Sequence, residues 1–203
     1  MVKTIKYPIR FKFDVEKFIT CVAFLASKRL PSLSKLKVCK LLYYVDKYHL
    51  IRYGRPITGD IYYRLDNGPV PSASLNIMNE IIDKDEVISY GEESNIEKFS
   101  KYLKVHRFPF QKYPFFQNKQ NPELENLSES EIEALEQVVN KYGNCSAGKL
   151  IESTHNEAPW QKAAPNAEID YRLFFENDSD ARPEALEYME SMNENTELIL
   201  GLE

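Results

Sequence analysis

The chain has 203 residues, of which 43% are hydrophobic, and a formal net charge of −5 at pH 7. This length is enough for one domain with a sizeable core. The longest wholly apolar run, residues 21–26, is far shorter than the ~20 residues that a membrane span needs, so we expect a cytoplasmic protein without a membrane partner.

The first third of the chain predicts an extended arm and two helices. Residues 1–13 mix aromatic residues, proline and lysines, which is typical of extended chain. Asp14 can cap a first helix that ends before Pro31, and Ser34 can cap a second helix that runs to about Arg52. The apolar residues of both recur every three or four positions, which indicates one buried face each. We expect the other side of the second helix to be solvated, with Lys35, Lys37, Lys40, Asp46 and Lys47.

The middle region predicts a small β-sheet or hairpin. Residues 61–63 read as extended chain before a turn at residues 66–69, and residues 87–90 form a plausible short strand. Between them, a helix can begin at Pro71 and Ser72. Its buried face would consist of Leu75, Met78, Ile81 and Ile82.

Residues 99–116 combine dense aromatic side chains with basic ones. This combination is typical of a single-stranded nucleic-acid platform, but it also fits a stiff loop or edge strand that folds its rings onto the core. We favour the second interpretation because Pro109 and Pro114 interrupt the segment.

The last third predicts further capped helices and an acidic tail. Ser128 and Glu131 form a capping box for a helix that ends at Gly143, and Ser146 can cap another that ends near Thr154. The fold class is therefore mainly α: a compact helical domain at residues 1–176, with the extended arm at 1–13 and an aromatic insert at 99–126. The acidic tail at 177–203 has room for a short helix at 183–192.

A search for catalytic chemistry finds no nucleophile elbow, dinucleotide fingerprint or phosphate loop. His155 and Glu157 form a lone HxE pair, which could bind a metal or act in acid/base chemistry but more often has a structural role. The three cysteines, Cys21, Cys39 and Cys145, have no CxxC spacing. We therefore expect no enzyme, no catalytic or metal-binding residues and no cofactor.

The charges are distributed unevenly along the chain. Residues 1–60 hold 13 Lys and Arg against 4 Asp and Glu, whereas the remainder holds 13 against 27. The two halves could dock on each other and partly neutralise, which we favour. Alternatively, the basic third could belong to a DNA-binding regulator that uses residues 34–52 as a recognition helix. We regard nucleic acid as the less favoured partner.

Two blocks of motifs resemble the SocA-like antitoxin (Panacea) domain family, which includes phage-associated members. The first block consists of KLLY at residues 40–43, YGRPITGD at 53–60 and GPVP at 68–71. The second consists of the capped helix that begins at Ser128 and the TH-x-E-x-PW motif at residues 154–160. The matching residues are Lys40, Leu41, Leu42, Tyr43, Gly54, Pro56, Gly68, Pro69, Pro71, His155, Glu157, Pro159 and Trp160.

The resemblance implies an antitoxin of a toxin-antitoxin system. Such a protein neutralises a cognate protein toxin by direct binding, or in one branch hands the toxin to a Clp protease. A homo-oligomer is a further partner that the sequence allows. We expect the toxin to contact aromatic, arginine and neighbouring acidic side chains of the loop platform, defined as residues 53–71, and of the helix before it. The candidates are Tyr44, Tyr53, Arg55, Asp60, Tyr62 and Tyr63.

The motifs allow two interpretations of equal weight. In the first, they form the interface: the glycines permit sharp turns, the prolines stiffen the loops, and His155 and Trp160 clamp the loop platform from beneath. Tyr44 and Asp46 would then face outward. In the second, the motifs encode only the fold, and a partner binds the variable surface around them.

Overall fold

The computed structural model describes residues 8–83, 94–107, 109 and 113–200, with side chains described up to residue 193. The helices in this part of the chain are α1 (Val15–Ser27), α2 (Lys35–Tyr53), α3 (Ser72–Asp83), α4 (Asn95–Tyr102), α5 (Glu129–Tyr142), α6 (Ala147–His155), α7 (Ala158–Lys162), the 3-10 helix η1 (Tyr171–Phe175) and α8 (Pro183–Leu200). The strands are β1 (Tyr62–Leu65), β2 (Gly68–Pro71), β3 (Leu103–His106) and β4 (Phe115–Asn118). The predicted mainly helical class with a small β-structure in the middle is confirmed.

The helix starts follow the capping residues of the sequence. The side chains of Asp14, Ser34, Ser128 and Ser146 each accept a hydrogen bond from a backbone amide in the first turn of their helix. The reciprocal bond is also present at Ser128, whose backbone amide donates to the Glu131 carboxylate at 2.8 Å. These caps satisfy amide groups that a helix leaves unpaired at its start, which is why they predict the boundaries well.

Two antiparallel hairpins cover parts of the helical body. In the first, β1 pairs with β2 so that Tyr62 lies opposite Pro71 and Leu65 opposite Gly68. In the second, β3 pairs with β4, with Leu103 opposite Asn118. The sequence did not indicate β2, because two of its four residues are prolines, which cannot donate to a strand ladder.

The segment of residues 99–116 is more regular than predicted. Its first aromatic residues belong to α4, which begins with a capping box between Ser94 and Glu97, and β3 follows directly. Phe99 and Phe116 are buried and lie edge to face at 5.3 Å, so these rings fold onto the core as expected. The predicted strand at residues 87–90 lies outside the described residues.

The core is built around α1 and α2. Every residue of α1 from Phe18 to Ala26 is buried, so this helix is enclosed on all sides rather than on one face. α2 packs against α3, α5, α6, α8, β2 and η1. α8 extends well beyond the predicted short helix and buries Ala185 and Met189. None of the helices in the described ranges is both long and apolar enough to cross a membrane.

Candidate protein-interaction site

Most of the charged side chains of α2 are inside the protein. Lys37, Lys40 and Asp46 are at most 1% exposed, and Lys47 is 8% exposed, so the prediction of a solvated face is wrong for these four residues. The expectation that Tyr44 and Asp46 face outward is also wrong, since both are buried. The physical reason is that the surrounding segments supply each of the four charged groups with an internal partner, whereas Tyr44 is buried by stacking on another ring.

Asp46 anchors the loop of residues 54–60. Its Oδ1 accepts hydrogen bonds from the backbone amides of Ile57 (2.9 Å) and Thr58 (2.8 Å). Its Oδ2 accepts from the Tyr62 hydroxyl at 2.8 Å and from the Thr58 hydroxyl. Four donors on one buried carboxyl group fix the path of this loop relative to α2.

The environment of Asp46 predicts a pH-dependent stability. Complete burial raises the pKa of its carboxyl group to about 6, although the hydrogen bonds from Thr58 and Tyr62 lower it. An unfolded Asp titrates near pH 4, so between pH 4 and pH 6 the folded state binds more protons and stability falls as pH rises. Asp46→Asn cannot titrate at this position. We therefore expect its free energy of unfolding, relative to that of the wild type, to rise by up to about 3 kcal/mol between pH 4 and pH 7. Urea unfolding of both proteins at several pH values measures this, and parallel pH profiles would contradict it.

Asp60, at the other end of the same loop, caps α3. Its carboxylate accepts from the backbone amides of Ala73 (2.9 Å) and Ser74 (2.7 Å), and the Tyr171 hydroxyl donates to its backbone carbonyl. A carboxylate is favourable here because the first amides of a helix lack internal partners and carry partial positive charge. Asp60 is 1% exposed, so its contacts are with the fold.

His49 fixes the start of the loop. Its Nδ1 lies 2.8 Å from the Arg55 carbonyl, and its Nε2 lies 3.1 Å from the Ser130 hydroxyl. A carbonyl only accepts, so Nδ1 carries the proton and Nε2 accepts from Ser130 in the neutral ring. Burial lowers the pKa of His49, which favours that neutral form. The ring packs against Tyr53 at 4.7 Å, so His49 supports both Tyr53 and Arg55.

Tyr53 and Arg55 remain accessible above these supports. Tyr53 is 37% exposed, and the Arg55 side chain is 47% exposed. Nη1 of Arg55 lies 3.6 Å from Oε1 of Glu131, a fully buried carboxylate that also pairs with Lys17 at 2.6 Å. Arg55 is therefore held on one side while the rest of its guanidinium faces outward.

Lys40 supports the β1–β2 hairpin from below. Its ammonium donates to the Pro69 carbonyl at 2.7 Å, and burial lowers its pKa to about 8. Gly68 lies directly above with φ +90°, and a Cβ atom there would stand 2.8 Å from Nζ of Lys40 and 2.5 Å from Oγ1 of Thr154. The hairpin turn therefore requires glycine at this position.

The second motif block holds the hairpin and the core together. The Trp160 indole donates to the Leu65 carbonyl at 2.9 Å, and its ring stacks on His155 at 3.9 Å. Glu157 accepts from the ammonium of Lys47 and from the Tyr43 hydroxyl at 3.3 Å. His155 and Glu157 therefore contact different neighbours: the histidine packs on Trp160, and the glutamate pairs with α2.

The six candidate interface residues separate into two groups. Tyr44 is buried and stacks on Tyr142 at 4.0 Å, and Asp60 and Tyr62 are also buried with internal hydrogen bonds. These three side chains are inside the protein and not on its surface. Tyr53 and Arg55 are exposed, and Tyr63 is half-buried on β1.

Comparison with protein-family models gives a match to the antitoxin SocA-like, Panacea domain over residues 38–161. The match covers more than half of the chain and runs from α2 to α7. The chain belongs to this family. Comparisons with curated proteins and with solved structures gave no match.

Within the Panacea domain, most motif residues are fold determinants. The apolar and glycine members are buried in or under the loop platform: Leu41, Leu42, Tyr43, Gly54, Pro56, Gly68, Pro69, Pro71 and Pro159. Lys40, Glu157 and Trp160 bond to this scaffold. For these residues the geometry therefore favours the interpretation that the motifs encode the fold. Among the side chains of the YGRPITGD motif, Tyr53 and Arg55 remain exposed for a partner to contact.

Several basic residues of the first third pair with acidic residues of the remainder, as the favoured interpretation of the charge distribution predicts. The ion pairs that cross between the two parts include Arg10–Glu168 (2.7 Å), Lys17–Glu131 (2.6 Å), Lys47–Asp178 (2.7 Å) and Arg52–Asp180 (3.5 Å). α2 is enclosed by other elements, so it cannot enter a DNA groove as a recognition helix.

The sequence did not indicate the surface contribution of α8. Tyr188 and Met192 on this helix are each 49% exposed, and the Arg182 guanidinium lies 5.9 Å from the ring centre of Tyr53. A helical spacing of four places Tyr188 and Met192 on one face, which the sequence could have shown. Their position beside Tyr53 depends on how α8 docks, and no local pattern encodes that.

Proposed function

We propose that this Panacea protein is an antitoxin that neutralises a cognate protein toxin by binding it directly, without catalysing a reaction. The supporting observation is that Tyr53 and Arg55 are both exposed at the end of α2, while buried hydrogen-bonded side chains hold the backbone beneath them. Tyrosine and arginine are the residue types that most often dominate binding energy in protein interfaces. The encounter takes place in the cytoplasm, where the cysteines remain free thiols.

Rigidity of the site favours tight binding. Asp46 and His49 hold the loop backbone at Arg55, Ile57 and Thr58, and Glu131 holds the guanidinium of Arg55. A partner therefore loses little free energy in ordering this surface when it binds. We propose binding itself as the neutralising step, since nothing in the described geometry specifically favours delivery to a protease.

Co-expression with the product of an adjacent gene tests the function. We expect a neighbouring product that is toxic alone and harmless when this protein is present. Tyr53→Ser with Arg55→Ser should abolish the rescue, because loss of a hot spot weakens binding about 30-fold or more. Tyr113→Ser is a matched control, since Tyr113 is 59% exposed in the segment that leads into β4.

Two results would contradict the proposal. If no adjacent product is both toxic alone and rescued, the antitoxin function is wrong. If rescue occurs and the Tyr53/Arg55 double variant, present at the wild-type level in the cell, rescues as well as Tyr113→Ser, the function stands and this surface is wrong.

A further inference from the structure

α8 is fastened to the C-terminal end of α2 by the segment that precedes it. The Arg182 amide donates to the Ile51 carbonyl at 2.9 Å. Asp178 pairs with Lys47 at 2.7 Å, and Asp180 lies 3.5 Å from Arg52. This segment therefore brings the first turn of α8 to the same end of α2 that carries Tyr53.

Gly54 forms the seat for α8. A Cβ atom at this position would lie 2.5 Å from the Ala185 carbonyl oxygen and 2.7 Å from Cδ1 of Tyr188. Gly54 also has φ +72°, a conformation that favours glycine. The motif glycine thus permits close approach of a helix that lies outside the residues matched by the family model.

α8 carries apolar side chains on its outer face as well as on the face that is buried. Ala185 and Met189 face the body of the protein and are buried. Tyr188 and Met192 form a second stripe on the outer face, where each is 49% exposed. Arg182 precedes this stripe and lies beside the ring of Tyr53.

The two halves form one continuous surface, which we name the α2–α8 patch: Tyr53, Arg55, Arg182, Tyr188 and Met192. Tyr188 lies against Gly54, the residue between Tyr53 and Arg55, so the patch continues from the end of α2 onto α8. Arg55 and Arg182 add positive charge beside the apolar side chains. This arrangement is typical of an interface with an apolar centre and a polar rim.

We propose that α8 supplies the second half of the toxin-binding surface and thereby selects which toxin is accepted. This inference rests on the proposed function. The partner that fits is a protein with an apolar area that covers Tyr53 and Tyr188 and with carboxylates placed to meet Arg55 and Arg182. Specificity would then depend on a helix outside the matched domain, while the domain supplies the common half.

Binding measurements with purified full-length protein and its neighbouring toxin test the inference. We expect Tyr188→Ser to weaken binding at least about 10-fold, and Arg182→Glu by a similar factor, with both variants still folded at the temperature of the measurement. A toxin in which the facing Asp or Glu is replaced by Lys should recover binding to Arg182→Glu and lose binding to the wild type. Tyr113→Ser serves again as the matched control.

The outcomes separate the inference from the proposed function. If Tyr53→Ser weakens binding but Tyr188→Ser and Arg182→Glu do not, the role of α8 is overturned and the antitoxin function remains. If no neighbouring product binds at all, both are overturned.

A measurement without toxin tests the docking of α8. In Gly54→Val, hydrogen exchange of the amides in residues 185–193 should become faster while those of α1 stay protected. Unchanged exchange in residues 185–193 would overturn the role of Gly54 as the seat of α8.

Discussion

Replacing Asp46 by alanine is expected to lower the free energy of unfolding by about 4 kcal/mol at pH 5. The change leaves the amides of Ile57 and Thr58 and the hydroxyl of Tyr62 without their buried acceptor. Each such donor costs about 1–3 kcal/mol, since water cannot replace the lost bond inside the core. Chemical denaturation of the purified variant measures the loss.

Asp46→Asn is the matched control for this prediction. Its amide oxygen can still accept from the two backbone amides, and its NH2 group can donate to hydroxyls that rotate to accept. We expect a loss of less than half that of Asp46→Ala at the same pH. Equal losses for both variants would contradict the account, because they would show that the acceptor oxygen that asparagine retains does not stabilise the loop of residues 54–60.

Gly68→Ala is expected to destabilise the protein by about 3 kcal/mol. The residue has φ +90°, which costs an L-residue about 1–2 kcal/mol. The added methyl group would also meet Thr154 and Lys40 at less than 3 Å. Neither neighbour is free to move, because the threonine hydroxyl donates to Ile151 and the lysine ammonium donates to Pro69.

Gly148→Ala provides the opposite control within the same protein. Gly148 lies in α6, and the nearest atom to its added Cβ would be the Ser146 hydroxyl at 4.0 Å. Alanine is the better helix former, so this variant should be stabilised by about 0.5–1 kcal/mol. Thermal unfolding compares the two variants, and a Gly68→Ala protein as stable as the wild type would show that the turn tolerates a side chain.

Local patterns in the sequence predict the helices well and their burial poorly. Asp14, Ser34 and Ser128 form their caps within a few residues, so the relevant contacts can be read along the chain. The burial of α2 depends instead on distant partners, such as Glu157 and Asp178 for Lys47. Considered alone, a helix with lysines on every turn is predicted to be solvated. The acceptors that enclose these lysines come from other segments, so the local sequence does not show them.

Exposure of side chains in the candidate site also depends on contacts between distant segments, so the sequence alone does not predict it. Tyr44, Tyr53 and Tyr62 look alike as aromatic motif residues, yet only Tyr53 reaches the surface. The difference arises because Tyr44 stacks on a ring from α5, and Tyr62 donates to the carboxylate beneath the loop. The family resemblance indicates a region of the chain, and the packing of α5 and α8 decides which side chains of that region lie at the surface.

The affinity of the purified protein for its neighbouring toxin, measured by calorimetry, tests the central claim most directly. The account predicts tight binding by the wild type and by Tyr113→Ser. It predicts binding weakened by about 30-fold or more for the folded double variant Tyr53→Ser/Arg55→Ser. Equal affinities for all three proteins would contradict the claim that Tyr53 and Arg55 carry the interaction.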